Sequence, residues 1–159
     1  MFPKISPIIK NTQNIVKVHP EIIFKLQFDG CSKGNPGFAG AGAVIYHNDG
    51  EIWSGNCFVG EKATNNYAEY AGLILGLNRA IEMDINSLIV EGDSLLVINQ
   101  MNGTYKCNSP NIIELYEESK KLIEKFDSIY FRHILRNYNK RADRLSNEAV
   151  EKHLTICNK

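Results

Sequence analysis

The fold is indicated first by the stretch IIFKLQFDGCSKGNPG, residues 22–37. Its first eight residues alternate between apolar and more polar side chains, and this period of two predicts a strand that ends at Asp29. The glycine- and proline-containing remainder predicts a turn. Two further apolar runs, AGAGAVIYH (39–47) and EIWSGNCFV (51–59), flank an Asn-Asp-Gly sequence of the kind that joins hairpin strands. We therefore expect three antiparallel strands in series.

The rest of the chain alternates between helical and strand patterns. The predicted elements are a helix from near Asn66, a strand at 87–93, a short helix at 94–101, a helix from Ser109-Pro110 to about Phe126, a strand at 128–135 and a last helix from Asn139-Lys140. The resulting order, βββαβααβα, predicts a mixed α/β (α+β) fold in which helices flank a five-stranded mixed sheet.

The composition is that of an ordinary globular domain. A chain of 159 residues is long enough for one domain with a buried core. We expect an irregular leader at residues 1–20, the domain at 21–153 and a tail at 154–159. The 18 basic and 18 acidic residues cancel, so any nucleic-acid binding must depend on a local patch.

The four cysteines are far apart and form no CxxC pair. This spacing argues against a zinc site and a disulfide framework, and it favours a reducing, intracellular compartment. The N-terminal segment lacks the apolar run of a secretory signal, and no stretch reaches the roughly 20 apolar residues of a membrane span.

Four carboxylates lie in four separate blocks of sequence: Asp29 in FDGCSKGNPG, Glu69 in TNNYAEYAGL, Asp93 in VEGDS and Asp143 in NKRADRLSNEA. Asp29 and Asp93 each end a predicted strand, and both emerge at one sheet edge if those strands are parallel neighbours. Each acid also has an ordinary structural role open to it. Aspartates beside glycines are common in turns, Glu69 could form a capping box with Asn66, and Asp143 could stabilise a helix N-terminus.

Taken together, the four acids indicate a metal site. Carboxylates that converge without a cation repel one another, and some must then bind protons. Mg²⁺ takes such oxygen ligands, and two ions about 3.5–4 Å apart can hold the attacking water and the leaving oxygen of a phosphoryl displacement. The pattern therefore predicts a phosphodiester-cleaving site. His133 could shuttle a proton there, although a lone histidine at a strand end is more often structural.

Basic residues provide a modest local patch. It comprises Arg136, Lys140, Arg141 and Arg144 around the start of the last helix, with Lys33 and Lys106 in predicted loops. Such residues predict salt-dependent contacts with a nucleic-acid backbone rather than sequence recognition. The turn DGCSKGNPG lacks the GxxxxGKS/T pattern of a phosphate loop and leads into a strand, so we expect it to approach a nucleic acid closely through its backbone.

These motifs resemble those of the type 1 ribonuclease H family over about residues 22–150. The family's first-strand signature corresponds to DGCSKGNPG from Asp29, and its TNNxAE helix motif corresponds to TNNYAE ending at Glu69. The fourth-strand pair appears as Asp93-Ser94, and the closing pattern runs from His133 through Ala149. The segment between Asp93 and His133 has no Trp- and Lys-rich basic handle, so the resemblance is to the compact form of the family.

The resemblance implies a metal-dependent endoribonuclease that cleaves the RNA strand of an RNA–DNA hybrid and leaves 5′-phosphate and 3′-hydroxyl ends. Asp29, Glu69, Asp93 and Asp143 would hold two Mg²⁺ ions, or Mn²⁺ as a substitute. His133 would match the family's mobile histidine, although the segment ILRNYNK that follows it is not glycine-rich and predicts a less mobile one. The expected nucleic-acid contacts are Gly30, Asn35, Thr64, Asn65, Asn66, Ser94, Arg136 and Lys140.

Two alternatives stay open from the sequence. A non-catalytic hybrid-binding module would keep the loops and basic residues but lose a carboxylate, whereas all four are present. Cleavage of double-stranded RNA is the second alternative, and a panel of substrates would distinguish it. We expect a monomer that does not associate with membranes.

Overall fold

A computed structural model describes residues 23–157 of the chain, so the predicted leader at 1–20 lies outside the described residues. The elements are β1 (Phe24–Lys33), β2 (Gly37–His47), β3 (Gly50–Ala63), α1 (Asn65–Glu82), β4 (Ser87–Gly92), α2 (Leu95–Met101), α3 (Ile113–Ile123), β5 (Ser128–His133), a 3-10 turn (Arg136–Tyr138) and α4 (Lys140–Cys157). This order confirms the predicted βββαβααβα fold. Within residues 23–157, no helix combines the length and apolar character needed to cross a bilayer.

The five strands form one mixed sheet in the order β3-β2-β1-β4-β5. β1, β2 and β3 pair antiparallel, while β4 pairs parallel with both β1 and β5. The β2–β3 connection has positive φ at Asn48 (47°) and Asp49 (70°), as a two-residue hairpin turn with the twist of its strands requires. In the parallel pair, Phe28 lies opposite Gly92. The residues that follow them, Asp29 within β1 and Asp93 directly after β4, therefore lie side by side, as predicted. β1 does not end at Asp29, because its pairing with β2 continues to Lys33.

The helices cover opposite faces of this sheet. Ala43 and Ile45 of β2 belong to the main core with α1, whereas Val44 between them packs with Ala142 and Leu145 of α4. Because successive strand residues point to opposite faces, α1 and α4 must enclose the sheet from two sides. The main core also takes in buried residues of α2, α3, β4 and β5.

Two glycines allow both helices to approach the sheet at the same place. A Cβ added at Gly30 would lie 2.1 Å from the carbonyl carbon of Ala68 in α1. A Cβ added at Gly42, the β2 partner of Asp29, would lie 2.7 Å from the carbonyl oxygen of Ala142 in α4. Both distances are too short for any side chain, so glycine lets main chain contact main chain here. The next residues along the two helices are Glu69 and Asp143, which are thereby brought to Asp29.

The structure corrects the predicted start of α3. This helix begins at Ile113 rather than at Ser109-Pro110, and it ends at Ile123 rather than near Phe126. The Ser109 carbonyl accepts hydrogen bonds from the amides of both Ile112 and Ile113, and the backbone of Ile112 (φ −119°, ψ −4°) departs from helical geometry, so a turn precedes the helix. Burial of Ile112 (2% exposed) holds that turn against the core, and this tertiary contact overrides the helix-start signal.

Candidate active site

Three acids from three elements form a compact cluster. Asp29 lies in β1, Glu69 in α1 and Asp93 directly after β4, and one carboxylate oxygen from each lies within 4.8 Å of the other two. Asp29 and Glu69 are buried, with 4% and 8% of their surfaces exposed. Asp29 accepts a hydrogen bond from the Gly30 amide at 2.9 Å. Glu69 Oε2 is buried and has no hydrogen-bond partner, so it is an acceptor without a donor.

Asp143 is close to this cluster but is not one of the three. It lies in the first turn of α4, and its side chain interacts with that of Asp29. Its Oδ1 accepts a hydrogen bond from Asn147 Nδ2 at 3.3 Å and lies 4.0 Å from the guanidinium of Arg136. Asp143 is thus more exposed than Asp29 and Glu69, and it lies near the Arg136 cation and the Asn147 amide.

Burial and mutual repulsion disfavour the ionised forms of Asp29 and Glu69. Burial raises the pKa of Asp29 from 3.8 to about 7; a hydrogen bond with Glu69 acts against this shift and the charge of Asp93 adds to it. Burial, followed by the charge of Asp29, raises the pKa of Glu69 well above its usual range. Without a cation, these two carboxyls hold protons that ordinary surface acids would release. A divalent cation among them would relieve the same repulsion.

The role of Glu69 in helix capping is excluded by the position of the cap. α1 begins at Asn65, and the capping side chain is Thr64, whose Oγ1 accepts from the Tyr67 amide at 3.2 Å. The alternative role for Glu69, a capping box with Asn66, is therefore excluded. Glu69 lies one turn further into the helix, on the face that packs against β1, which is why its carboxylate points at Asp29.

Asn139 is a site residue that the sequence analysis missed. It is fully buried, and its Nδ2 donates to the Phe28 carbonyl at 2.9 Å and to Asp93 Oδ2 at 3.3 Å. Its backbone carbonyl accepts a hydrogen bond from the Asp143 amide at 3.1 Å. One asparagine therefore ties the end of β1, the Asp93 carboxylate and the start of α4 together. The sequence signal was a polar residue at a helix start, which ordinarily indicates only a cap.

His133 is the last residue of β5, and its ring lies against the backbone of Asp93. His133 Nε2 is 3.1 Å from the Asp93 carbonyl oxygen. The following amide, that of Ile134, donates to the Gly92 carbonyl at 3.0 Å and extends the ladder past the strand end. Because the backbone carbonyl can only accept, this contact places the ring proton on Nε2 and leaves Nδ1 as the basic nitrogen.

An open cavity of about 580 Å³ joins most of the predicted residues. Its lining includes the four acids and His133, together with the predicted contacts Gly30, Asn65, Asn66, Ser94 and Arg136. Asn35 and Thr64 instead line a second cavity of about 530 Å³, with Lys106 and Asn111. Asn66 borders both cavities, so the two are neighbours. Lys140 lines neither of them.

Hydrogen bonds that join the end of β1 and the β1–β2 turn to the start of α1 fix the orientation of the asparagine amides. The Ser32 amide donates to Asn65 Oδ1 at 2.7 Å, and the Asn65 amide donates to Asn35 Oδ1 at 3.0 Å. The Asn35 amide in turn donates to Ser32 Oγ at 3.2 Å. Since the two amide oxygens face backbone donors, the NH₂ groups of Asn35 and Asn65 are presented as hydrogen-bond donors.

Comparisons with known proteins decide the family. The family described as "Reverse transcriptase-like" matches residues 27–149. The N-terminal RNase H domain of Rv2228c from Mycobacterium tuberculosis, solved as a fusion with maltose binding protein, matches with a TM-score of 0.81 at 36% identity, over 86% of this chain and 99% of that one. The chain belongs to the type 1 ribonuclease H family. Ribonuclease HI of Halobacterium salinarum is 39% identical over 125 residues, which are 78% of this chain and 62% of that protein.

The matching ribonuclease H domains include one solved with a nucleic acid and one that is part of a longer protein. LC11-RNase H1, solved in complex with an RNA/DNA hybrid, matches with a TM-score of 0.77 at 34% identity, over 82% of this chain and 99% of that one. The chain spans only 35% of the length of the whole bifunctional protein Rv2228c. Between β4 and β5 the structure has α2 and α3 alone, as expected for a ribonuclease H without a basic handle.

Proposed function

We propose that this protein is an endoribonuclease that hydrolyses the RNA strand of RNA–DNA hybrids. The observation that carries the proposal is the cluster of Asp29, Glu69 and Asp93 within 4.8 Å of one another, with Asp143 beside it, in a chain of the ribonuclease H family. LC11-RNase H1 was solved with an RNA/DNA hybrid, which supports the same substrate class here. A hybrid-binding module without catalysis would have no need for such a cluster.

The residues of the cluster fit divalent metal ions. Glu69 Oε2 is a buried acceptor without a donor, and a hard cation such as Mg²⁺ or Mn²⁺ would satisfy it. We propose that Asp29, Glu69, Asp93 and Asp143 together hold two such ions. When bound, the ions would neutralise charge on the scissile phosphodiester and lower the pKa of the attacking water.

The surrounding side chains would position the acids and move a proton. Asn139 holds the Asp93 carboxylate through Nδ2, and its backbone carbonyl accepts a hydrogen bond from the Asp143 amide, so it links the neighbourhoods of two of the acids. His133 Nδ1 is free to take up a proton and pass it to the departing 3′-oxygen, while Nε2–H stays on the Asp93 carbonyl. The products would carry 5′-phosphate and 3′-hydroxyl ends, with inversion at phosphorus.

The hybrid would lie across both cavities. The NH₂ groups of Asn35 and Asn65 are oriented to donate to sugar or phosphate oxygens, and the 2′-hydroxyl identifies the RNA strand. Thr64 Oγ1 accepts from Asn111 Nδ2 at 2.9 Å, which joins α1 to the loop before α3 at the rim of the second cavity. Lys106 in that cavity supplies a cation for the other strand. Gly30, Asn66, Ser94, Arg136 and Lys140 complete the proposed contacts.

The protein carries no net charge and has no basic handle, so we expect modest affinity that falls with salt. Its four cysteines are free thiols in the structure, which supports the proposed reducing, intracellular location.

A substrate panel tests the proposed function. The protein is incubated with end-labelled RNA–DNA hybrid, double-stranded RNA, double-stranded DNA and single-stranded RNA, in Mg²⁺ and separately in Mn²⁺. We expect cleavage of the RNA strand of the hybrid, with fragments that a 5′-phosphate-dependent exonuclease can degrade. Cleavage of double-stranded RNA at the same rate would broaden the substrate class. An intact hybrid in both metals would contradict the proposed activity.

A further inference from the structure

Lys33 is a cation at the mouth of the acidic cavity that is not neutralised by an acid. It is the last residue of β1, its side chain is exposed, and it lines the same cavity as the four carboxylates. Its Nζ donates to Asn147 Oδ1. Among residues 23–157 it makes no salt bridge, whereas Lys25, Arg79, Arg132 and Arg141 all do. A neutral acceptor therefore holds this ammonium in place and leaves its full charge exposed.

Asn147 connects this ammonium to the fourth acid. Its Nδ2 donates to the Asp143 carbonyl at 2.8 Å and to Asp143 Oδ1 at 3.3 Å, one turn back along α4. An ammonium can only donate and a carboxylate can only accept, so the two neighbours agree on one orientation of the amide. Lys33, Asn147 and Asp143 thus form a chain from the cavity mouth to the acid cluster.

The backbone that carries Lys33 is held on both sides. On one side the Ser32 amide is bonded to Asn65, and Ser32 Oγ donates to the Ala63 carbonyl at 2.7 Å. On the other side the Asn35 amide is bonded to Ser32 Oγ. A cation on a fixed backbone with a tethered head group loses little conformational entropy when it binds a ligand.

We propose that Lys33 binds a backbone phosphate of the strand that lies over the acid cluster, and that Asn147 positions it for this contact. The inference rests on the proposed function and names a contact that gives the acidic cavity its affinity for a polyanion. A phosphate is the ligand that an unneutralised lysine selects as a point charge. Because Asn147 also holds Asp143, phosphate binding and the fourth acid depend on the same amide.

The first test measures hybrid affinity without metal, so that metal-mediated binding at the acid cluster does not contribute. Fluorescence anisotropy with a labelled hybrid in EDTA is recorded between about 25 and 200 mM salt. Lys33→Met is expected to bind about five- to tenfold more weakly at low salt, and the slope of log affinity against log salt is expected to fall by about one. Lys33→Arg keeps the cation and is expected to stay within about twofold of the wild type.

A matched control removes a lysine of equal charge elsewhere. Lys152 lines a separate groove between β3 and α4 with Glu148 and Glu151, so Lys152→Met should leave both affinity and salt slope unchanged. Thermal melts should coincide for all these variants, since the side chains are exposed. In Mg²⁺, Lys33→Met should raise KM for the hybrid while kcat stays within about twofold.

Asn147 is tested by a double-mutant cycle. Asn147→Leu should weaken metal-free binding in the wild-type background and should weaken it no further in the Lys33→Met background, because Asn147 acts through Lys33. Additive losses would refute the tether. An unchanged salt slope in Lys33→Met, in a wild-type protein that binds and cleaves hybrid, would refute this inference and leave the proposed function standing. A wild type that neither binds nor cleaves hybrid would overturn both.

Discussion

Replacing Asp29 by asparagine is expected to stabilise the metal-free protein while it abolishes the site. Burial, opposed by a hydrogen bond with Glu69 and aided by the charge of Asp93, raises the pKa of Asp29 from 3.8 to about 7 in the folded state. The folded protein therefore binds more protons than the unfolded chain between about pH 4 and pH 7, so stability falls as the pH rises through this window. Asparagine does not ionise, so the folding stability of the Asp29→Asn protein does not fall in this window because of residue 29.

The size of the effect follows from the same difference. A pKa raised from 3.8 to about 7 corresponds to roughly 4 kcal/mol of folding free energy lost above pH 7. Because Glu69 is destabilised in its ionised form by the same burial and repulsion, removing one carboxylate does not recover the whole difference. The free energy of unfolding of Asp29→Asn is therefore expected to exceed that of the wild type by about 2–4 kcal/mol near pH 8 and by close to zero near pH 4. A gain of this size would raise the melting temperature by roughly 5–15 °C.

The assay is urea denaturation in EDTA at a series of pH values, with the exposed acid Asp127 changed to Asn as the control. The free energy of unfolding of Asp29→Asn should exceed that of the wild type only as the pH rises. The free energy of unfolding of Asp127→Asn should equal that of the wild type at every pH. Millimolar Mg²⁺ should stabilise the wild type and have little effect on Asp29→Asn. An Asp29→Asn protein that is less stable than the wild type at high pH, or equally altered at every pH, would refute the reasoning.

Three further substitutions test the architecture of the site. Asn139→Ala leaves the Phe28 carbonyl and Asp93 without their donor; it should cost about 1–3 kcal/mol in urea denaturation and slow hybrid cleavage. Gly42→Ala places a Cβ 2.7 Å from the Ala142 carbonyl oxygen; it should cost about 1–3 kcal/mol and lower kcat by displacing α4 with its acid. His133→Ala should lower kcat about ten- to a hundredfold in single-turnover cleavage, with hybrid affinity and melting temperature unchanged.

The strands and the sheet edge could be predicted because their signals are local. The alternation before Asp29 and the Asn-Asp-Gly turn each fix one element, and parallel pairing then places Asp29 beside Asp93. The approach of the two helices could not be predicted in this way. It depends on Gly30 and Gly42 having no side chain where helix backbone arrives from another part of the chain. The hydrophobic periodicity of the sequence gives no signal for that contact.

The missed and misplaced residues share a cause. Asn139 has the local pattern of a helix cap, yet its function comes from bonds to β1 and to Asp93, which are distant in sequence. Ser109-Pro110 has the pattern of a helix start, yet burial of Ile112 makes a turn there instead. In both cases the tertiary contact decides what a local motif does.

The central claim is that the acid cluster holds the metal ions that cleave the hybrid. It is tested most directly by the rate of RNA-strand cleavage in Mg²⁺ for the wild type, Glu69→Gln and Glu82→Gln. Both glutamates lie on α1, but Glu69 belongs to the cluster and Glu82 pairs with Arg79 at the surface. We predict equal rates for the wild type and Glu82→Gln, and a rate at least about a hundredfold lower for Glu69→Gln. A folded Glu69→Gln protein that cleaves the hybrid at the wild-type rate would contradict the account.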